Sequence, residues 1–449
     1  MSQELDACGM ENSKCCHLNR LCPLQGLTGL ERTNTVALMH SLTQRLFCLL
    51  LLVALPALAR DYRFDGKISE EVLRSYLSRS MTTMYLLTGH GDFDDNLRML
   101  TNCGVKFAGR TVYQWGREEG GAPAIPKKLE LAKANAARIH AADPELILQA
   151  CIFEIVSRDV NNLAVPAWAF EELGRPVEPR NFRYEDMRYP SGRFSNHWGQ
   201  ASSVPDVSRP ETKLWFYFLA RSYVGVGCEA IHYGQVELMN ENDPKLDHWA
   251  DVLDQARRYA AKHARRHFMM FDAHVPRGGF VRDGKLLFDF HTFPLRIEEL
   301  PDKPRQAQLR VGYTDALYGR SKGGVTPSGW RCEHLPYLVE FDNYGRSRKP
   351  GEAGQGRIWV WGWDEITWFS QQPEKDRNDW LRYAWKWVRE TDPEGYVQMP
   401  GHRIISGAAE GKRWYDVNRP SAATPNGFGQ EETIRAIWAA DNDSAISKR

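Results

Sequence analysis

Two kinds of segment alternate along the chain after about residue 80. Short, nearly continuous apolar runs at 82–89, 105–113, 146–154, 230–238 and 268–275 predict strands. Segments with strong helix formers or helical spacing lie between or after these runs, at 126–143, 211–228 and 246–266. Strands that are apolar almost throughout and alternate with helices predict a parallel sheet covered by helices on its outer face.

The pattern continues less regularly in the second half of the chain. Residues 278–291 predict a hairpin around Asp283-Gly284, and further strands are predicted at 336–345, 358–365 and 395–402. Helices are predicted at 374–391 and 429–441. With right-handed crossovers, eight strand–helix units would close into an α/β fold of the (β/α)8 barrel class, the TIM barrel.

The strand assignment leaves nine candidates for eight places, so two counts stay open. In the count that we prefer, the hairpin 278–291 is an insertion, and the segments that begin at 336, 358 and 395 are the sixth, seventh and eighth strands. In the other count, 286–291 is the sixth strand, and the segments at 336 and 358 become the seventh and eighth.

Four long connections follow predicted strands, at 158–210, 276–335, 343–357 and 403–428. Connections that follow barrel strands lie on the carboxyl-terminal face, where active sites of this fold are built. Loops of this length within a compact domain are usually functional. The sequence therefore predicts long loops that form a deep cleft on this face.

The start of the chain has the three parts of a secretory signal. An apolar run at 46–58 follows Arg45, and Ala57-Leu58-Ala59 matches the small-residue pattern of a cleavage site. We therefore expect a signal peptide at 39–59, cleavage near Ala59 and a secreted protein, periplasmic or extracellular. Residues 1–38 would be a non-native or disordered leader, and 60–449 a single domain. The apolar run is too short for a permanent membrane anchor, because a spanning helix needs about 20 apolar residues.

The charge balance and the aromatic content limit the classes of partner that the protein is expected to bind. The chain has 58 basic and 57 acidic residues, a net charge of +1, and this balance argues against a nucleic-acid partner. Its 15 tryptophans are consistent with carbohydrate-stacking surfaces in a secreted protein, although a helix such as 374–391 buries several of them.

Acidic, polar and aromatic residues collect at the carboxyl-terminal ends of several predicted strands. Such residues on separate strands would meet at the mouth of a barrel. On the fourth strand, Glu237 is predicted to face the lumen together with Tyr233 and Gln235, and His232 is predicted to pack behind the barrel. Other candidates at strand ends are Arg110, Tyr113, Trp115, Asp272, His274, Glu340, Asp342, Trp361, Trp363, Asp364 and Glu365.

This arrangement resembles secreted (β/α)8 glycoside hydrolases, which carry a glutamate at the end of the fourth strand and another acid at the end of the seventh. The resemblance is one of architecture, and Val236 precedes Glu237 where the common pattern has asparagine. It implies that Glu237 is the general acid/base. Its partner, as nucleophile or second base, would be Glu365 in our preferred strand count and Glu340 in the other.

The remaining candidates would bind or orient a poly- or oligosaccharide in such an enzyme, without a cofactor. They are Arg110, Tyr113, Trp115, Tyr233, Gln235, Asp272, His274, Asp342, Trp361, Trp363 and Asp364.

Two other functions stay open. A non-catalytic carbohydrate-binding barrel would keep the aromatic surfaces without needing paired carboxylates. A metal-dependent hydrolase would need ligands from a set that includes His90, Asp92, His232, Asp272, His274 and His291. No H-x-H or H-E-x-x-H spacing is present, so we expect no metal site.

Overall fold

A computed structural model describes residues 60–116, 118–354, 358–407 and 413–447, the side chains of 442–447 excepted. The chain from Arg60 onward forms one compact unit. The predicted leader at 1–38 and the predicted signal peptide at 39–59 lie outside the described residues.

Eight parallel strands close into a barrel, which confirms the predicted fold class. In chain order they are β1 (Ser80–Thr83), β2 (Phe107–Tyr113), β3 (Ile147–Cys151), β4 (Ala230–Gln235), β5 (Met270–His274), β6 (Phe290–Pro294), β7 (Tyr337–Glu340) and β8 (Gly395–Ile404). Each strand pairs with the next, and β8 pairs with β1 to close the barrel. Residues Trp414–Asp416 add an antiparallel strand to the end of β8.

Both sequence-based strand counts are wrong in part. Phe290–Pro294 is the sixth strand, Tyr337–Glu340 the seventh and Gly395–Ile404 the eighth. The hairpin around Asp283-Gly284 does form, with short arms at Val281–Arg282 and Lys285–Leu286, but it precedes the sixth strand instead of replacing it. Glu340 therefore occupies the end of the seventh strand, as the second count had it.

The segment 358–365 contributes no barrel strand because its backbone reverses within four residues. Trp361 and Gly362 both adopt left-handed conformations, with φ of 52° and 76°. Val360 and Trp363 exchange backbone hydrogen bonds of 2.7 and 3.0 Å across this turn. Asp364 then caps a short helix, Glu365–Ser370, by accepting a hydrogen bond from the Thr367 backbone nitrogen.

The five longer helices from Ile125 onward agree with the sequence pattern, and two further helices precede them. In chain order these helices are α1 (Glu70–Leu77), α2 (Phe93–Cys103), α3 (Ile125–Ala142), α4 (Pro210–Val226), α5 (Asp247–His263), α6 (Glu374–Thr391) and α7 (Glu431–Ser447). The connections 275–289 and 295–336 carry short strands in place of helices. Among the described residues, no helix is both long and apolar enough to cross a membrane.

The amino-terminal end of the barrel has an apolar filling. Seven strands each contribute one buried residue to it: Phe107, Ile147, Ala230, Met270, Phe290, Leu338 and Tyr396. Helix α1 packs against this layer through Val72, Leu73 and Tyr76, so it closes the barrel from below. Burying these side chains removes apolar surface from water, which is the dominant stabilising contribution to such a core.

The next layer toward the carboxyl-terminal end is polar. It contains Ser80, Thr82, Gly109, Gln149, His232, Asp272, Thr292, Glu340 and Gln398, all buried. A Cβ atom at Gly109 would lie 2.5 Å from Gln398 Nε2 and 3.1 Å from Gln149 Oε1, so glycine leaves the space for these two amides. Buried polar groups destabilise a core unless they are hydrogen-bonded, and this layer is a connected network.

Candidate active site

Strand β4 points its residues in the opposite sense from the sequence-based expectation. His232 faces the lumen, where its Nδ1 lies 2.7 Å from Asp272 Oδ2. Tyr233 faces the surrounding helices and packs on Trp249, at 5.5 Å between ring centroids, and on Phe271. The expectation that Tyr233 lines the lumen and that His232 packs behind the barrel is therefore wrong. Because the middle layer of the lumen is polar, the polar residue of this pair is the one that points inward.

A glycine ends the regular alternation of β4. Gly234 has a left-handed φ of 59°, and a Cβ atom there would overlap the carboxylate of Glu154. That carboxylate accepts hydrogen bonds from the Gln235 backbone nitrogen at 2.8 Å and from Gln235 Nε2 at 2.9 Å. Gln235 is thus bound to the end of β3, and the chain turns into the short helix Val236–Met239.

Asp272 is a wholly buried carboxylate on β5. It accepts hydrogen bonds from Gln149 Nε2 at 2.7 Å and Thr292 Oγ1 at 2.5 Å, besides its contact with His232. These partners come from β3, β6 and β4. The sequence-based expectation placed Asp272 at the mouth of the barrel as a substrate-binding residue. The structure places it inside the lumen, where its described partners are protein side chains.

Glu340, at the end of β7, is a buried carboxylate that contacts two arginines. Arg403 Nη1 donates to Glu340 Oε2 at 2.9 Å, and the Arg110 guanidinium contacts both carboxylate oxygens. Burial alone would raise the pKa of Glu340, but the positive charges of Arg110 and Arg403 outweigh it and hold this pKa below its usual value. Glu340 is therefore ionised at neutral pH.

The backbone at Arg110 is bent to bring its guanidinium to Glu340. Arg110 has a left-handed φ of 59°, and the pairing of β2 with β3 is irregular between Ala108 and Val112. A residue with a side chain adopts this conformation at a cost, so such positions often occur where a side chain has to be aimed. The guanidinium also lies over the Phe153 ring, at 5.2 Å from its centroid.

Asp342, two residues beyond Glu340, lies in a mixed cluster of charges at the rim. Its carboxylate is 3.6 Å from Arg296 Nη1 and 3.7 Å from Arg403 Nη2. Arg296 also donates to Asp315 Oδ1 at 2.6 Å. His274 lies 4.0 Å from Asp315, and its burial and the nearby Arg296 lower its pKa to about 3, which keeps the imidazole neutral.

Glu365 connects two loops beneath this cluster. Its Oε1 accepts from the Ile297 backbone nitrogen at 2.9 Å, and its Oε2 accepts from the Asp342 backbone nitrogen at 3.0 Å. Only 2% of the residue is exposed. Burial raises its pKa to about 7, against the lowering effect of Arg296. Burial likewise raises the pKa of Asp364, the helix cap, to about 6. Because both Glu365 oxygens bind backbone groups, this residue supports the rim from below.

Glu237 lies on the short helix beyond β4. Its Oε2 accepts from Arg277 Nε at 2.8 Å, and its Oε1 accepts from the Arg277 backbone nitrogen at 3.1 Å. The Arg277 side chain is 76% exposed, so the ion pair is solvated and contributes about 0–1 kcal/mol.

Aromatic side chains from three loops meet above the lumen. Trp115 contacts Trp198 at 5.3 Å, Trp198 contacts Tyr344 at 6.5 Å, and Tyr344 stacks on Trp359 with an interplanar angle of 7°. Trp198 follows β3 and Tyr344 follows β7, strands on opposite sides of the barrel. The predicted long loops are present, and Trp198 and Tyr344 bring two of them into contact across the mouth.

The other predicted aromatic residues occupy different places. Tyr113 is buried and stacks on Tyr85, with 4.3 Å between ring centroids. Trp361 is buried in its turn, and its Nε1 donates to the Gln306 carbonyl oxygen at 2.9 Å. Trp363 is half-buried and lies beneath the Arg346 guanidinium. Trp361, Trp363 and Glu365 do not share one face, because 358–365 is not a strand.

The candidate metal ligands do not meet in one place. Among the described residues, no group of three histidine, cysteine, aspartate or glutamate side chains could hold a metal ion. His90 lies 2.5 Å from Asp416 and stacks on Trp414, away from the His232–Asp272 pair. His291 is buried on the outer side of β6, next to Gly279.

Several residues of this site were not predicted from the sequence. They lie on or just after barrel strands, where the sequence pattern alone did not distinguish them from other polar residues: Arg403, Arg296, Gln149, Thr292 and Gln398. A usable signal was the polar residue two positions after an apolar one on the same face of β3, β4, β5 and β8. It would have identified Gln149, His232, Asp272 and Gln398 as members of one lumen layer.

Comparison with known proteins gives structural similarities at low identity. No protein-family model and no curated protein matches the chain. The debranching enzyme of Nostoc punctiforme is similar over 86% of this chain and 77% of its own, with 12% identity and a TM-score of 0.42. Endo-glycoceramidase II from Rhodococcus sp. is similar over 80% of this chain and 77% of its own, with 12% identity and a TM-score of 0.38.

A third similarity is to the glycoside hydrolase domain of PelA from Pseudomonas aeruginosa, over 68% of this chain and 90% of that domain, with 10% identity and a TM-score of 0.30. At these values the similarities carry no argument about the activity of this chain. The barrel is established by its own strand pairing.

Proposed function

We propose that this protein is a secreted glycoside hydrolase that cleaves a poly- or oligosaccharide, with Glu340 as its ionised carboxylate. The observation that carries the proposal is the environment of Glu340. A carboxylate that is 2% exposed, at the carboxyl-terminal end of a barrel strand, contacts two arginines that keep it charged. Active sites of this fold lie at that end of the strands.

Glu340 is suited to the role of nucleophile. Glycoside hydrolysis passes through an oxocarbenium-like transition state, and a retaining enzyme needs an ionised carboxylate to attack the anomeric carbon. The lowered pKa of Glu340 satisfies this condition at neutral pH. Arg110 and Arg403 would act as positioning residues, since they orient the carboxylate and keep it ionised.

The reaction also needs a group that protonates the departing oxygen. Glu237 is the sequence-based candidate at the end of β4. Asp342, Arg296 and His274 would line the sugar site at the rim, and Trp115, Trp198 and Tyr344 would offer aromatic faces for stacking. These aromatic side chains would give the sugar rings an apolar surface to pack against.

The proposal is tested by incubating the protein from residue 60 onward with an array of poly- and oligosaccharides and measuring new reducing ends. Wild type should hydrolyse at least one glycan, and Glu340→Gln should reduce kcat by about 10³-fold or more while the glycan still binds. Glycan binding by both proteins without hydrolysis by either would instead support the non-catalytic carbohydrate-binding barrel.

Glu237→Gln tests the second group in the same assay. Loss of hydrolysis comparable to that of Glu340→Gln would assign Glu237 to the reaction. Hydrolysis near the wild-type rate would restrict Glu237 to its ion pair with Arg277.

A further inference from the structure

His232 and Asp272 are two titratable residues that contact each other in the lumen, and the proposed function gives them no role. His232 is 3% exposed and Asp272 is wholly buried. They lie opposite each other in the register of β4 and β5, and both belong to the polar layer that contains Glu340. Arginines contact Glu340, but the hydrogen bonds to Asp272 come from an amide, a hydroxyl and the imidazole.

The contacts of Asp272 determine the tautomer of His232. An ionised carboxylate only accepts hydrogen bonds, and Asp272 accepts from Gln149 Nε2 and Thr292 Oγ1 as well. We therefore assign the proton to His232 Nδ1, which donates a hydrogen bond to Asp272 Oδ2. In the neutral ring this leaves Nε2 as an acceptor, and Nε2 has no hydrogen-bond partner among the residues that the structure describes.

An imidazole with one nitrogen bound to a buried carboxylate is the arrangement of an oriented proton-transfer group. The carboxylate fixes the ring and stabilises the imidazolium when the other nitrogen takes a proton. His232 and Glu340 both belong to the buried polar layer of the lumen. The Phe153 ring packs edge-on against His232, with 5.7 Å between the ring centroids.

We propose that His232, oriented by Asp272, is the proton-transfer residue of this site, in the role that the sequence-based prediction gave to Glu237. This inference rests on the proposed glycoside hydrolase function. As Glu340 forms a bond to the anomeric carbon and the glycosidic C–O bond breaks, protonated His232 gives its Nε2 proton to the leaving oxygen. Water then attacks the anomeric carbon and releases Glu340, while Nε2 takes the proton from that water and is restored.

Leaving-group dependence tests this role, since a good leaving group needs no proton. The substrates are the 2,4-dinitrophenyl and phenyl glycosides of the sugar that wild type hydrolyses. The variant is His232→Asn, whose amide can still donate to Asp272. We expect it to stay within about 10-fold of wild type in the glycosylation step on the dinitrophenyl glycoside and to lose 10²–10⁴-fold on the phenyl glycoside.

His267→Asn is the matched control. His267 also contacts an aspartate through Nδ1, at 2.7 Å from Asp65, but this pair is exposed and distant from the lumen layer. It should behave as wild type on both glycosides. Imidazole nitrogen chemical shifts measured by NMR should independently show a proton on Nδ1 of neutral His232. Asp272→Asn should change how this proton is distributed between Nδ1 and Nε2.

The outcomes separate the two proposals. Equal losses on both glycosides, or a leaving-group-selective loss in Glu237→Gln instead of His232→Asn, would overturn the role of His232 while the hydrolase function stands. A wild-type protein that hydrolyses neither the glycan array nor the aryl glycosides would overturn the hydrolase function and this inference with it.

Discussion

Arg403 Nη1 lies 2.9 Å from Glu340 Oε2, and neither side chain is more than 2% exposed. Two opposite charges have thus been removed from water at the carboxyl-terminal end of the barrel. Removing both charges from water costs free energy. This cost is offset only if the two charges lie close together and further hydrogen bonds satisfy their remaining polar atoms. Arg110 supplies the second cation, and Thr82 Oγ1 lies 3.4 Å from the same carboxylate oxygen.

Removal of the Arg403 charge should destabilise the protein strongly. Arg403→Met leaves Glu340 with one cation in a buried site, and breaking a buried pair in this way costs roughly 3–5 kcal/mol in the free energy of unfolding. Urea unfolding measures this change. Arg277→Ala, which removes the exposed partner of Glu237, is the matched control and should cost about 1 kcal/mol or less. Similar small losses for both variants would show that the buried pair is not needed for the fold.

Glu365 should make the free energy of unfolding depend on pH at values above those at which a carboxylate usually titrates. Its folded pKa is raised to about 7, so the folded state binds this proton more tightly than the unfolded state. The resulting stabilisation is fully present below the unfolded pKa of about 4.3 and is lost as pH rises through about 7.

Glu365→Gln should remove this part of the pH dependence, which amounts to roughly 3–4 kcal/mol in the free energy of unfolding. The measurement is urea unfolding of both proteins at intervals between pH 4.5 and 8. The difference between the two curves should change sharply between pH 5 and 7. A constant difference would mean that the folded pKa of Glu365 is not raised.

Gly234 should be intolerant of any side chain. Gly234→Ala places a Cβ atom against the Glu154 carboxylate and forces an alanine into a left-handed conformation, which alone costs about 1–2 kcal/mol. Gly284 has a similar φ of 73° with no atom within 4 Å of its Cβ position, so Gly284→Ala reports the backbone cost by itself. Thermal unfolding should show a clearly larger loss for Gly234→Ala, and equal losses would contradict the close approach of Glu154.

Tyr344 should contribute to substrate binding with little effect on stability. The residue is 49% exposed, and its ring stacks on Trp359 and contacts Trp198 above the lumen. If its ring packs against sugar, Tyr344→Ala should raise KM about 2- to 10-fold, as expected for the loss of 0.5–1.5 kcal/mol. The measurement is steady-state kinetics on the glycan that wild type hydrolyses. An unchanged KM would show that these rings do not contact substrate.

The barrel could be predicted from the sequence because its strands and helices follow simple periodicities. The strand count failed where local chemistry interrupted the pattern. The aromatic run at 358–363 reads as a strand, but it holds the turn at Trp361-Gly362. The sixth strand, Phe290–Pro294, was hidden because it follows the Asp283-Gly284 hairpin directly. Short-range backbone conformations of this kind are poorly specified by hydrophobic pattern alone.

The site was harder to predict, because the lumen reverses the usual rule of apolar residues inside. In β4, Ile231 and Tyr233 pack outward while His232 points inward. Glu340 and Asp342 were found as candidates because they are acids at a strand end. Arg403, which contacts them, lies near the end of the long strand β8 and could be recognised only after the strands were placed around the barrel.

Covalent trapping tests most directly whether Glu340 attacks the sugar. Wild type is incubated with activated 2-deoxy-2-fluoro glycosides of several sugars, digested, and analysed by peptide mass spectrometry. We expect one glycosyl adduct, on the peptide that contains Glu340, and no adduct in Glu340→Gln. An adduct on another carboxylate, such as Asp342 or Glu237, would contradict it.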